Sequence, residues 1–277
     1  MGITAFIVDV EFVWGFQARV VGLSKTSPSF YYPPPTTFLG ALSESISKKL
    51  EIGESAGRKI IKILSNNLLA LGVRPLNCIP LKYEDINKII SVKITSGVLY
   101  PNPKDLAKSY DSPARGKTIM ASIDDDSPIL RFFIVLKNDS IVFEDKNVRM
   151  STDYFWGVHR LGSKESRVSV INVAKQENID ALKGRTTSKY SFPLIGGIKP
   201  LYELQKEWLY EMYINPKEIS YTDKENPTLA YIEGASLVKF MIPVLVTKYE
   251  QPEFVVEVEN PAAFYKIGDE TVIGWVK

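Results

Sequence analysis

The chain has 277 residues, 45% hydrophobic and 24% charged, a globular composition with enough apolar material for one large core or two small ones. Its 34 Lys and Arg nearly balance 32 Asp and Glu, so a nucleic-acid surface has to come from local clustering. One Cys and one His exclude an intrachain disulfide and a structural zinc site of about four Cys or His ligands.

Any Ser–His–acid or Cys–His nucleophile scheme would have to use His159. There is no GxGxxG fingerprint and no GxxxxGK[ST] phosphate loop, so nucleotide-driven chemistry has no support and no cofactor is expected. Asp124, Asp125 and Asp126 are the candidates for a carboxylate-only magnesium site. Three consecutive acids cannot all face one ion on a strand or helix, so a solvated loop is the expectation, and no metal. Gly2 to Val10 is apolar but contains Asp9 and lacks the basic start of a signal peptide. No apolar run approaches the ~18–20 residues of a membrane span, so a soluble cytoplasmic protein with no membrane partner is expected. The abundance of Tyr suits either interfaces and base stacking or β-rich cores.

In chain order, Ile3 to Val21 reads as a long strand or hairpin with Gly15 near its middle. After a polar stretch from Ser24 to Ser29, three prolines (33–35) force an extended approach to a helix carrying Leu39, Leu42, Ile46 and Leu50. Thr36 or Thr37 supplies its N-cap. A second helix is expected from about Ser55 to Leu71, ended by Gly72. Ile89 to Leu99 is β-like, and Tyr100 to Ser127 breaks periodicity as a long polar loop carrying Lys104, Lys108, Arg115 and Lys117. Ile129 to Phe143 predicts two strands joined by a hairpin turn at 137–140, and Arg167 to Val173 a further strand. Asn178 to Lys183 is a weak helix candidate, and the turn residues Gly196, Gly197 and Pro200 can begin a second part. Leu237 to Thr247, Phe254 to Val258, Phe264 to Ile267 and Thr271 to Val276 read as four more strands. This order fits an α+β domain with an antiparallel sheet and is compatible with a βαββαβ ferredoxin-like core.

The charge is segregated. Between Trp156 and Lys189 seven basic residues face only three acids, whereas from Glu250 to Lys277 six acids face two lysines. The most informative stretch runs from Trp156 to Arg167. Gly157 and Gly162 let backbone approach a ligand, Ser163 and Ser166 can donate to phosphate, and Arg160, Lys164 and Arg167 supply charge. The same features also suit an ordinary solvated connection between strands. His159 could act in RNA cleavage, or simply hydrogen-bond and stack. Tyr31 and Tyr32 could present rings to bases or a partner, or pack the lead-in to the first helix.

Two runs resemble a known family. Ser29-Phe30-Tyr31-Tyr32-Pro33-Pro34-Pro35-Thr36-Thr37-Phe38-Leu39-Gly40-Ala41-Leu42 is similar to the proline-rich lead-in of CRISPR-associated Cas-five proteins. His159-Arg160-Leu161-Gly162-Ser163-Lys164-Glu165-Ser166 resembles the glycine-containing loop of its archaeal, type I-A members. The order and spacing agree over roughly the first 200 residues, and the C-terminal part carries no such motif.

The resemblance implies a RAMP protein with a ferredoxin-like, RRM-related core. It implies residues 1–195 as that domain, with a thumb-like insertion near 100–128, and 196–277 as a β-rich C-terminal part that can equally be continuous with it. The implied role is a structural Cascade subunit in antiviral defence that grips the 5′ handle of CRISPR RNA and caps the backbone. Implied partners are CRISPR RNA, the backbone and large subunits and, indirectly, target DNA. The RNA contacts expected are His159, Arg160, Gly162, Ser163, Lys164, Ser166 and Arg167, with Tyr31, Tyr32, Lys108, Arg115 and Lys117. No catalytic residue is expected. The alternative is a metal-independent endoribonuclease that processes precursor CRISPR RNA, as in the type I-C branch.

Overall fold

The computed structural model describes residues 2–18, 28–86, 89–90, 92–105, 110–111, 114–144, 146–201, 208–219, 237–244 and 252–277. β1 (Ile3–Phe12) is buried on both faces, which is why it reads as an unbroken apolar run. The expected long strand breaks after Phe12, and β2 (Gly15–Phe16) pairs with a distant strand instead of folding back as a hairpin. Helix α1 (Pro35–Lys49) is not capped by a threonine: Pro34 holds the N-cap position, and Pro35 sits where a missing N–H costs nothing.

Helix α2 (Glu54–Asn67) ends four residues before the expected Leu71 and passes directly into β3 (Leu68–Pro75). The apolar spacing of Leu68 to Leu71 suits a helix, but ladder pairing to a neighbouring strand overrides it. Gly72 is therefore no helix stop. It lies mid-strand, where a Cβ would come within 2.6 Å of Ser191 O.

β4 (Cys78–Ile86), β5 (Ile89–Ile90), β6 (Lys93–Thr95), β7 (Val98–Tyr100), β8 (Tyr110–Asp111) and β9 (Ala114–Ser122) pair in nested antiparallel fashion as a ribbon. β4 and β9 pair from Cys78–Ser122 to Ile86–Ala114, so much of the expected loop at 100–127 is the returning arm of a ribbon. β10 (Ile129–Leu136) and β11 (Ser140–Phe143) are present as expected, but they do not form a hairpin. The Asn67 backbone carbonyl accepts from Lys137 N–H (2.7 Å) and its side-chain oxygen from Asn138 N–H (3.0 Å). That clamp steers β11 to β12 (Lys146–Arg149). The short α3 (Thr152–Trp156) was not expected, and β13 (Val168–Ile179) runs past the expected Val173. Asn178 to Lys183 is not helical: Asn178 takes φ 56°, and Leu182 bridges Phe264.

β14 (Gly184–Ser188), β15 (Phe192–Pro193), β16 (Ile198–Pro200), β17 (Trp208–Ile214), β18 (Leu237–Pro243), β19 (Phe254–Val258), β20 (Ala262–Ile267) and β21 (Glu270–Trp275) complete the described chain. The last four lie where alternation placed them, although residues 245–247 of the first are outside the described residues. The protein is mostly sheet, with antiparallel pairing and few helices.

The central sheet has the order β13-β1-β10-β3. One face packs on α1, α2 and α3, with Phe38 stacked on Phe132 and Phe6 against Phe155, both at 4.5 Å between centroids. The other face packs on β20–β21 through Ala5, Ile7, Phe133, Tyr265 and Val272. At the end of that second core a polar row crosses all four strands: Asn172, Asp9, Arg131 and Arg74 are successive cross-strand neighbours. Arg131 grips Asp9 with two bonds (2.6 and 2.8 Å) and reaches Glu270 (2.7 Å), which Arg74 also contacts. Among the described residues no helix is long and apolar enough to cross a membrane.

Candidate nucleic-acid interface

The basic stretch is the connection from α3 to β13, and it is a closed loop. Arg160 and Arg167 form an antiparallel bridge; Leu161 N–H donates to Ser166 O (3.0 Å) and Val168 N–H to His159 O (3.1 Å). Val158 and Leu161 plug the loop into the helical core. Its far side is seated on the segment after β1: Ser163 N–H donates to Gln17 O (2.9 Å), Gln17 N–H to Ser166 Oγ (2.9 Å) and Trp14 Nε1–H to Glu165 O (2.8 Å). Gly162 has φ +114°, and a Cβ there would lie 2.5 Å from Gln17 O.

Two expectations therefore change. Gly162 admits the protein's own backbone at Gln17 on the side a Cβ would take while its other side stays exposed, and Ser166 is fully buried as a brace, so its hydroxyl is not offered to phosphate as the sequence suggested. Lys164 and Arg167 remain exposed, and His159 and Arg160 are partly so.

Glu44 of α1 organises the near end of the loop. It accepts from Arg160 Nη2 (3.1 Å) and pairs with Lys48 Nζ (2.9 Å), and His159 Nε2 lies 3.8 Å away. Partial burial pushes the Glu44 carboxyl up, but the Lys48 hydrogen bond and the charges of Arg160, Lys48 and His159 outweigh it and hold it below the usual range. Such exposed pairs add little stability, so what Glu44 does is draw the Arg160 guanidinium onto α1.

The proline-rich lead-in lies beside this loop. Ala18 O accepts from Phe30 N–H (3.3 Å) and Ser29 Oγ (3.2 Å), so residues 17 and 18 join the two sequence motifs. Tyr32 is not a surface ring: it is fully buried, donates its hydroxyl to Pro243 O (2.5 Å), and is held protonated by burial. Tyr31 is half-buried, with Lys82 Nζ 3.8 Å from its ring centroid and its N–H donating to both Glu211 oxygens (3.1 and 3.0 Å). Lys117 lies on β9 opposite Tyr83. Arg115 is opposite Asp85 in the same ladder, although its side chain, like all of Lys108, lies outside the described residues.

No family model matches the chain. It is 27% identical over 272 residues to a Saccharolobus solfataricus protein named as the Cas5 subunit of the aCascade CRISPR system, covering 96% of this chain and 97% of that one. A second protein of that organism, named as CRISPR-associated Cas5, is 26% identical over 269 residues with the same coverage. The crystal structure of a CRISPR protein from Archaeoglobus fulgidus is 42% identical with a TM-score of 0.71, covering 99% of this chain and 100% of that one. The chain belongs to the Cas5 family.

In this Cas5 chain the similarity includes the C-terminal part, which carried no recognisable motif. Sequence reasoning missed Glu44, although it is the only acid on α1 and stands four residues before Lys48, a helical ion-pair spacing. It also missed Glu211, which binds Lys82 Nζ (2.6 Å) and the Tyr213 hydroxyl (2.8 Å) besides Tyr31. No local signal marks Glu211. Leu81, Tyr83 and Ile119 share an outward, half-exposed face of the ribbon, readable as a period of two in Ile79, Leu81 and Tyr83. Asp124 belongs to a turn, accepting from Asn77 (2.9 Å) and Asp126 N–H (3.1 Å). Among the described residues no group of three or more His, Cys, Asp or Glu could hold a metal.

Proposed function

We propose that this Cas5 chain is a structural, RNA-binding subunit of a Cascade complex, holding the 5′ handle of CRISPR RNA and capping the backbone in antiviral defence. The observation that carries the reading is the rigid basic loop at 157–167, which presents Arg160, Lys164 and Arg167 from the end of an antiparallel sheet. Phosphate contacts of this kind fix position, while splayed bases on aromatic or Arg faces give identity. The relatives' names, one of them an aCascade subunit, support assembly with other Cascade components; in this reading those are the backbone and large subunits of a type I-A complex.

The sheet order β13-β1-β10-β3 supports a ferredoxin-like, RRM-related RAMP core, since a βαββαβ chain gives the order fourth, first, third, second. In this reading α1 and α2 occupy the first crossover and α3 the second. In this reading the thumb-like insertion expected near 100–128 takes in the ribbon from Cys78 to Ser122, whose arms are β4 and β9. The strands after residue 196 extend the same domain, because β20–β21 shares a core with β1, β3 and β10.

The test is binding of the purified chain to labelled repeat RNA in EDTA across a salt series. Arg160→Ala with Lys164→Ala should weaken binding by about tenfold or more and flatten the log–log salt slope by about 0.7 for each phosphate that is no longer neutralised. Unchanged affinity would remove the loop from the interface. The role proposed is holding, not cutting: a discrete cut abolished by His159→Ala would move the chain to the processing nucleases.

A further inference from the structure

A cleft of about 560 Å³ opens between α1 and the start of α2. Among the described residues three cations from three elements line it, Lys48 of α1, Arg58 of α2 and Arg160 of the basic loop, with the Glu44 carboxylate beside them. Small residues such as Gly40, Ser43, Ser47 and Gly57 form much of the remaining wall, and Ile52 and Ile61 are its apolar lining. A concavity ringed by guanidinium and ammonium groups suits a phosphate, which Arg binds through paired N–H donors and Lys as a point charge.

Arg160 belongs to both the cleft and the loop, so the two sites are continuous. We infer that the α1–α2 cleft is a phosphate-binding subsite that extends the RNA track of the 157–167 loop, with Lys48, Arg58 and Arg160 as its ligands. Glu44 is its internal counter-charge: it keeps Arg160 and Lys48 turned inward, and competes with an arriving phosphodiester. This inference rests on the RNA-binding reading above.

The experiment titrates the full chain with labelled repeat RNA at several salt concentrations and compares Arg58→Ala, Lys48→Ala, Glu44→Gln and the Arg160→Ala, Lys164→Ala pair. The melting temperature of every variant is measured alongside, so that a loss of folding is told apart from a loss of binding. The expected result for Arg58→Ala is about a tenfold loss of affinity, the scale of one charge-assisted hydrogen bond, and a salt slope shallower by about 0.7. Glu44→Gln should tighten binding about two- to fivefold, the scale of an exposed ion pair removed as competitor.

Wild-type affinity in both Arg58→Ala and Lys48→Ala, with weakening in the loop pair, would overturn the cleft while leaving the RNA reading intact. No weakening in any variant would overturn both. A titration with inorganic pyrophosphate separates the sources: Arg58-dependent pyrophosphate binding with RNA binding indifferent to Arg58 would assign the cleft to a free phosphate compound and refute the RNA track. Arg58-dependent binding of poly-glutamate, again with RNA indifferent, would assign it to an acidic protein segment and equally refute the proposal.

Discussion

Gly162→Ala separates two accounts of the basic loop. If the glycine is there to admit RNA, alanine should weaken RNA binding and leave the free protein unchanged. The structure predicts the opposite order of events. An alanine held at φ +114° costs about 1–3 kcal/mol in backbone strain. Its Cβ would also lie 2.5 Å from Gln17 O, a backbone atom that must move and loosen the Ser163 to Gln17 bond. Together these predict about 2–4 kcal/mol of destabilisation, or a melting temperature lower by roughly 3–7 °C for a chain of this size. Amide exchange should accelerate at Gln17 and Ser163, and RNA affinity should fall because the cations lose their seat. Weaker RNA affinity with an unchanged melting temperature and unchanged exchange would refute the reasoning and return the glycine to the ligand.

Arg131→Ala should cost about 3–5 kcal/mol in urea unfolding, because it strips the paired guanidinium from the buried Asp9 carboxylate. Arg131→Met with Asp9→Val should recover most of that, and a loss below about 1 kcal/mol in the single variant would show that the row is not a working pair. Burial pushes the Glu270 carboxyl up, but Arg74 and Arg131 hold it below its ordinary value, so its stabilisation is present above the unfolded pKa of about 4.3 and is lost as pH falls through the folded one. Urea midpoints between pH 7 and pH 3 should therefore fall less steeply in Glu270→Gln, and an unchanged acid limb would contradict this. Burial pushes the Cys78 thiol up to about 12, so an aromatic disulfide reagent at pH 8 should label it only after denaturation. Stoichiometric labelling of the native protein within minutes would place the thiol at the surface.

What could be read from the sequence is what local pattern determines. Phe254–Val258 alternates between two environments and forms the strand expected, and α1 carries its apolar stripe onto Phe132 as spaced. Errors arose where a distant partner overrode a sound local signal. Leu68 to Leu71 continue a helical stripe but are captured by β10, and the hairpin turn at 137–140 is opened by Asn67, some seventy residues earlier. The broken periodicity from Tyr100 to Ser127 suggested a loop, whereas β9 is a strand because β4 supplies its ladder. The site follows the same rule. Its cations were legible because charge needs no partner to be visible, but Ser166 is bonded to a residue 149 positions away, and only the pairing of β1 with β13 brings them together. The motif thus carries two kinds of information: glycine and buried serine specify where the loop sits, and the cations specify what it can hold. A variant that keeps every cation yet loses the Gln17 seat should bind RNA worse than one that keeps the seat and loses Lys164 alone, since one exposed lysine neutralises a single phosphate and the seat positions them all.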